Sequence, residues 1–211
     1  MSERERPNQK HRTRQDLLRA AARLMKAGRT PTLAEVAEEA LISRATAYRY
    51  FSSLEALLAE APLDGVVPTA EAVFAEDPSK EPEERLLKAN AAMRKIVWAN
   101  QTQCRLMLAR LLDQAAKADR DSDRVKRQNR CTDLIEAALA PSRDQFDGAV
   151  YRKLCKALAL VFGTESMVVF RDVLQMEDRE AWEVESWAVR AFVRAALEES
   201  AKSKRKRSRT R

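Results

Sequence analysis

From Arg12 to Ala27 the apolar residues Leu17, Leu18, Ala21, Leu24 and Met25 recur three and four apart, and Gly28 follows them. That spacing predicts an amphipathic helix closed by a glycine. Thr32 and Glu35 then form the T-x-x-E of a capping box, and Leu33, Val36, Ala37 and Ala40 make the buried stripe of a second helix only two turns long. Leu41 and Ile42 make a turn. Ser43 is placed to N-cap a third helix, with Ala47 and Phe51, four apart, as its inward pair. Ser52 and Ser53 cap a fourth helix that runs through Leu57 and Leu58.

Between Pro62 and Pro82 the segments PLDGVVP and DPSKEP concentrate proline, with one short helix expected around Ala70 to Ala75. Beyond them the pattern predicts helices over Glu83–Lys117 (one long or two kinked), Arg124–Leu139, Phe146–Leu174 and Arg179–Glu199. No period-two alternation appears, so the expected class is all-α. The expected organisation is a disordered N-terminus at 1–11, a helix-turn-helix DNA-binding domain at 12–61, a hinge at 62–82, a larger helical ligand-binding and dimerisation domain at 83–200, and a basic disordered tail at 201–211.

The last two helices are apolar on more than one side. Leu154, Leu158, Val161, Phe162, Val168 and Val169 spread around most of one of them. In the other, Val184, Ala188, Ala191, Phe192 and Ala195 form one stripe while Trp182, Val189, Val193 and Ala196 form another. A helix buried on two sides needs two partners. A second copy of the chain would supply one, as a four-helix bundle at a two-fold axis; a larger monomeric core is the alternative. Leu158, Phe162, Val169, Trp187, Ala188 and Phe192 are the expected homodimer residues.

Composition narrows the chemistry. Only four glycines stand among 211 residues, each alone, so neither a dinucleotide fingerprint nor a phosphate loop can be written. The one histidine, His11, lies in the charged N-terminal stretch, and three cysteines without a C-x-x-C pair give neither a disulfide framework nor a zinc site. No enzyme, cofactor or metal is expected. The net charge is +7, and residues 201–211 alone carry seven Lys/Arg and no acid, so the tail accounts for an excess equal to the whole. No apolar run approaches the roughly 20 residues of a membrane span, and the reading is a cytoplasmic protein with no membrane partner.

Two short helices joined by a tight turn and supported by a third are the sequence form of a helix-turn-helix, whose second helix enters the major groove of double-stranded DNA. With Ala47 and Phe51 inward, the 100° step per residue turns Ala45 and Arg49 outward, flanked by Arg44, Thr46, Tyr48 and Tyr50. Arginine offers paired donors to guanine, Ala45 and the Thr46 methyl suit a thymine methyl, and the tyrosine hydroxyls reach phosphate oxygens. Thr32 and Ser43 complete the expected DNA-binding set. The competing reading packs Tyr48 and Tyr50 sideways with their hydroxyls in water.

TLAEVAEEA, the turn, and SRATAYRYFSSLEALL closely resemble the DNA-binding segment of the TetR family of bacterial transcriptional regulators. Thr32, Ala37, Ala40, Ser43, Thr46, Tyr48, Tyr50, Phe51 and Leu57 match, and Val36 stands for the usual Ile. Two departures stand out. Leu41 occupies a turn position where the family has Gly, at a cost of order 1 kcal/mol if φ is positive. Leu54 replaces a Lys that commonly touches phosphate, which Arg12, Arg14 or the tail could offset. The resemblance implies a homodimer presenting two recognition helices to a pseudo-palindromic operator, and a ligand that alters their spacing. It implies a repressor; an activator or a nucleoid-type protein without ligand response is the alternative.

No motif names the small-molecule effector. Trp98, Cys104, Met107, Leu111, Met167 and Phe170 are the expected pocket lining, with plain core as the alternative. Glu165 sits in an otherwise apolar helix, so it is expected to pair with Arg171, Arg190 or another donor, or to meet a cationic ligand.

Overall fold

The computed structural model describes residues 5–51, 53–64, 66, 68–117 and 130–209; the side chains of residues 5–11, 59, 63, 64, 114, 117, 130 and 206–209 are also outside what is described. Among the described residues there is no strand. The helices are α1 (Glu5–Lys26), α2 (Leu33–Glu39), α3 (Arg44–Tyr50), α4 (Leu54–Asp64), α5 (Ala70–Phe74), α6 (Pro82–Ala99), α7 (Gln101–Lys117), α8 (Arg130–Leu139), α9 (Gly148–Leu158), α10 (Thr164–Val168) and α11 (Asp178–Arg209). The expected caps at Ser52 and the start of a helix at Arg124 lie outside the described residues.

The chain divides into two compact units, residues 1–67 with 100–128, and residues 68–99 with 129–211. In the first unit α1 packs on α2 and α4, α2 on α3, and α4 on α7. Leu17, Leu18, Ala21, Val36, Ala37, Ala47 and Leu57 are completely buried there. Burying a Leu or Val side chain contributes about 1.5–3 kcal/mol, so this small cluster is what holds helices too short to be stable alone. Arg14 ties α1 to α4: its two terminal nitrogens donate to the two Glu60 carboxylate oxygens at 2.8 and 2.7 Å, and its guanidinium lies 4.4 Å from the Phe51 ring centre.

In the second unit α6 packs on α5, α8, α10 and α11, and α9 on α8 and α11. Leu86, Ala89, Leu134, Ile135, Ala138, Leu158 and Val189 are fully buried. Arg85 of α6 donates to the Ala137 and Ala138 carbonyls at 3.1 and 2.9 Å. Those carbonyls belong to the end of α8, where intrahelical donors run out, and a cation there also meets the negative end of the helix dipole. Pro141 lies in the 3-10 segment Ala140–Gln145 that follows.

Several expectations need correction. The long helix expected over Phe146–Leu174 is broken: α9 ends at Leu158, and Gly163 at φ +104° precedes α10, which continues as a π-helical turn over Val169–Val173. Side chains rarely adopt that φ, and a Cβ on Gly163 would stand 3.2 Å from the Cys131 Sγ, so the glycine sets the break. Periodicity was blind to it, because both halves keep apolar residues at helical spacing. Glu83–Lys117 resolves into α6 and α7, and α7 groups with the first unit rather than with the segment 83–200. Within the two terminal stretches expected to be disordered, the described residues 5–11 belong to α1 and 201–209 to α11.

Candidate nucleic-acid interface

Thr32 sits extended ahead of α2, its hydroxyl accepting from the Glu35 N–H at 3.2 Å while the Glu35 carboxylate accepts from the Thr32 N–H at 2.7 Å. The capping box is complete. That backbone donor, with the Thr32 hydroxyl and Arg29, holds the Glu35 carboxyl below the usual carboxylate range. At the other end of α2 the Leu41 N–H donates to the Glu38 carbonyl at 3.0 Å and the Ile42 N–H to the Ala37 carbonyl at 2.8 Å. These two bonds are a Schellman cap with Leu41, at φ +57°, where a glycine is usual. The turn is therefore built as the glycine form would be, around a strained leucine whose side chain is 95% exposed.

Ser43 then caps α3, accepting from the Thr46 N–H at 3.2 Å and donating to the Thr46 hydroxyl at 2.9 Å. Ala47 and Phe51 are buried as expected, which fixes the rotation of α3 about its axis. Arg44, Ala45 and Arg49 are exposed, and Tyr48 is 60% exposed. Thr46 and Tyr50 are half-buried. Tyr50 packs against the first unit's core, and the Arg49 guanidinium lies 5.7 Å from its ring centre. The two tyrosines thus divide: Tyr48 stands clear with its hydroxyl in solvent, and Tyr50 packs sideways as a base for Arg49.

Two expected phosphate substitutes separate as well. Arg12 is exposed, whereas Arg14 is buried and committed to Glu60 and Phe51, so it is a fastener of α1 to α4. Leu54 is half-buried against the same core. An apolar anchor occupies the position where a cation was missing.

The remaining expected site residues divide between the two units. Cys104 and Met107 are buried and Leu111 is half-buried on α7 of the first unit, while Met167 and Phe170 are interior residues of the second. Trp98 of α6 is half-buried, its indole N–H donating to the Asp178 carboxylate at 2.8 Å. Glu165 is exposed, contrary to the expectation of an apolar setting. The buried carboxylate is Glu185, 1% exposed, which accepts from Arg94 at 2.9 Å. Burial pushes its carboxyl above the usual range, and Arg94 opposes that shift. A signal was present: Ala181, Glu185, Val189 and Val193, each four apart, lie on one stripe of α11 and all are buried.

Leu158 and Phe162, expected at the homodimer interface, are buried core. Val169 is partly exposed, Ala188 and Phe192 are half-buried, and Trp187 is 70% exposed. Among the described residues no group of His, Cys, Asp and Glu could hold a metal ion, and no helix is long and apolar enough to cross a membrane.

Residues 17–61 match the family model described as "Bacterial regulatory proteins, tetR family". No curated protein and no solved structure matches the chain. The match spans α2, its turn and α3 in full, with the C-terminal part of α1 and most of α4. It supports, for residues 17–61, the resemblance to the DNA-binding segment of TetR-family regulators drawn from the sequence.

Proposed function

From a TetR-family DNA-binding segment as premise, we propose that this chain is a ligand-responsive repressor acting in the cytoplasm as a homodimer on a pseudo-palindromic operator. The observation that carries the reading is the outward face of α3. Ala47 and Phe51 pin the helix down, and Arg44, Ala45, Tyr48 and Arg49 are left for the major groove and its phosphates. Arg49, resting on Tyr50, is the guanine reader; Tyr48 is a phosphate contact. Thr32 and Ser43 contribute from the first turns of α2 and α3, where backbone N–H groups favour a phosphate.

The dimer reading rests on α11. Ala181, Glu185, Val189, Val193 and Ala196 fill its own unit's core, while Val184, Trp187, Ala188, Ala191, Phe192 and Ala195 remain exposed or half-exposed. A second copy would cover that outer stripe together with Val169. Two recognition helices about 34–36 Å apart would then engage successive major grooves. An effector bound in the second unit would release DNA by preferring a different spacing, for which a coupling of about 1–3 kcal/mol suffices.

DNase I footprinting on the duplex upstream of the chain's own reading frame tests the arrangement. Expected is a two-fold symmetric footprint whose half-sites lie one helical turn apart, lost in Trp187→Glu. An unchanged footprint in that variant, or protection of one half-site only, would contradict the dimer.

A further inference from the structure

The second unit contains an open groove of about 430 Å³ that the DNA-binding reading leaves unused. It lies between α6 and the start of α11. Trp98, Trp182 and Ala91 line it with apolar surface, and Arg94, Lys95 and Arg179 bring positive charge. We infer that this groove binds a small planar aromatic carboxylate.

The polar groups at one side are already fixed. Arg94 lies 3.6 Å from the Trp98 ring centre and spends its donors on Glu185 and on the Asp178 carbonyl, at 2.9 and 2.8 Å. Asp178 in turn accepts from the Trp98 indole at 2.8 Å and from Arg171 at 2.7 Å. Every one of these side chains is held by another, so the Trp98 ring and the Arg94 plane present a rigid flat surface. A planar ring stacks on such a surface without ordering it further, which removes part of the entropic cost of binding.

The charge is what selects the class. The negative groups at the groove have partners: Asp178 with Arg171, Glu183 with Arg179, and Glu185 with Arg94. Lys95 has no ion pair among the described residues, and it is exposed one residue from Arg94. Trp182 is half-buried and makes no hydrogen bond among the described residues, leaving an indole N–H as a neutral donor. The groove therefore offers apolar ring faces, one uncompensated ammonium and one free N–H donor. A carboxylate on a flat apolar body uses all three. A cation would meet Lys95 and Arg179, and a neutral ring would leave Lys95 without a partner. Arg94 and Lys95 were absent from the sequence expectations and Trp182 entered them only as part of an apolar stripe, although Arg94 and Trp98, four apart on one helix, are spaced to stack.

The site is assigned by binding, whether or not occupancy alters DNA affinity. The probe is 2-naphthoate, followed by saturation-transfer NMR and isothermal titration calorimetry on the full chain, with 2-naphthalenemethanol as its neutral counterpart. For a ligand of this size in an open groove the dissociation constant is expected at about 0.1–1 mM. The acid should bind at least about fivefold more tightly than the alcohol, and Lys95→Glu should weaken the acid by about tenfold while leaving the alcohol unchanged, as reversal of an exposed charge dictates. Ala91→Phe, which sets a bulky ring in the groove lining, should abolish binding of both. Lys95 and Ala91 are exposed, so neither variant threatens folding, and far-UV circular dichroism verifies that. No binding at millimolar probe, equal binding of acid and alcohol, or acid binding insensitive to Lys95→Glu or Ala91→Phe would each overturn the assignment.

Discussion

Replacing Leu41 by Gly should stabilise the first unit, although it deletes an apolar side chain. The leucine is 95% exposed, so truncation forfeits almost no burial. Its φ of +57° places it in the left-handed region, where an L-residue costs about 1–2 kcal/mol. Glycine removes that cost but returns about 0.5–1 kcal/mol through its larger freedom in the unfolded chain. The net expectation is a gain of about 0.5–1 kcal/mol. The same chain supplies the precedent: α1 ends with Gly28 at φ +76°, its N–H donating to the Met25 carbonyl at 2.9 Å while Arg29 donates to the Leu24 carbonyl at 3.1 Å. Trp98, Trp182 and Trp187 all belong to the second unit, so indole fluorescence does not follow the first. Amide hydrogen exchange of α2 and α3 does, and the gain corresponds to exchange slowed about two- to fivefold at Ala40 and Ala47. Unchanged or faster exchange would refute the strain argument and point to a contact made by the leucine itself.

Gly163→Ala should destabilise the second unit by more than about 1 kcal/mol, because φ +104° and the nearby Cys131 sulfur both oppose a Cβ; an unaltered urea midpoint by tryptophan fluorescence would argue against it. Arg14→Ala should cost about 3–5 kcal/mol by leaving the Glu60 carboxylate buried without its partner, read as a lowered midpoint for the helices of the first unit in hydrogen exchange. A loss under about 1 kcal/mol would make the pair no more than a surface contact. Glu185 has a folded pKa raised above 4.5 by burial, so between 4.5 and that value the folded state holds more protons than the unfolded one. Its contribution to stability therefore falls as pH rises through that window, and Glu185→Gln should flatten this part of the urea-midpoint profile; identical profiles would contradict the assignment.

The first unit was legible because its signals are local. Capping boxes, a Schellman turn and an inward pair four apart depend on residues within one or two turns of each other, and Thr32, Ser43, Ala47 and Phe51 all take their expected places. The second unit depends on which faces meet. Glu165 and Glu185 both sit among apolar neighbours in sequence, and only packing of α11 against α6 decides that Glu185 is the buried one. Arg85 reaching the end of α8 spans more than fifty positions, and no spacing rule announces it. Gly163 illustrates the middle case, a visible glycine whose effect on the helix required its φ. Leu158 and Phe162 were expected at the homodimer interface and lie in the core, because a helix apolar on several sides does not say which side its own core takes.

Fluorescence anisotropy of the purified chain against its own upstream intergenic duplex and a scrambled duplex, each at two salt concentrations, bears most directly on the role of α3. Expected is tight binding to the first duplex alone, with Arg49→Ala costing about 1–3 kcal/mol and relaxing the preference, because a bidentate base contact is lost. Equal binding to both duplexes, steeply dependent on salt and indifferent to Arg49→Ala, would reduce the interaction to phosphate contacts and contradict the recognition role of α3.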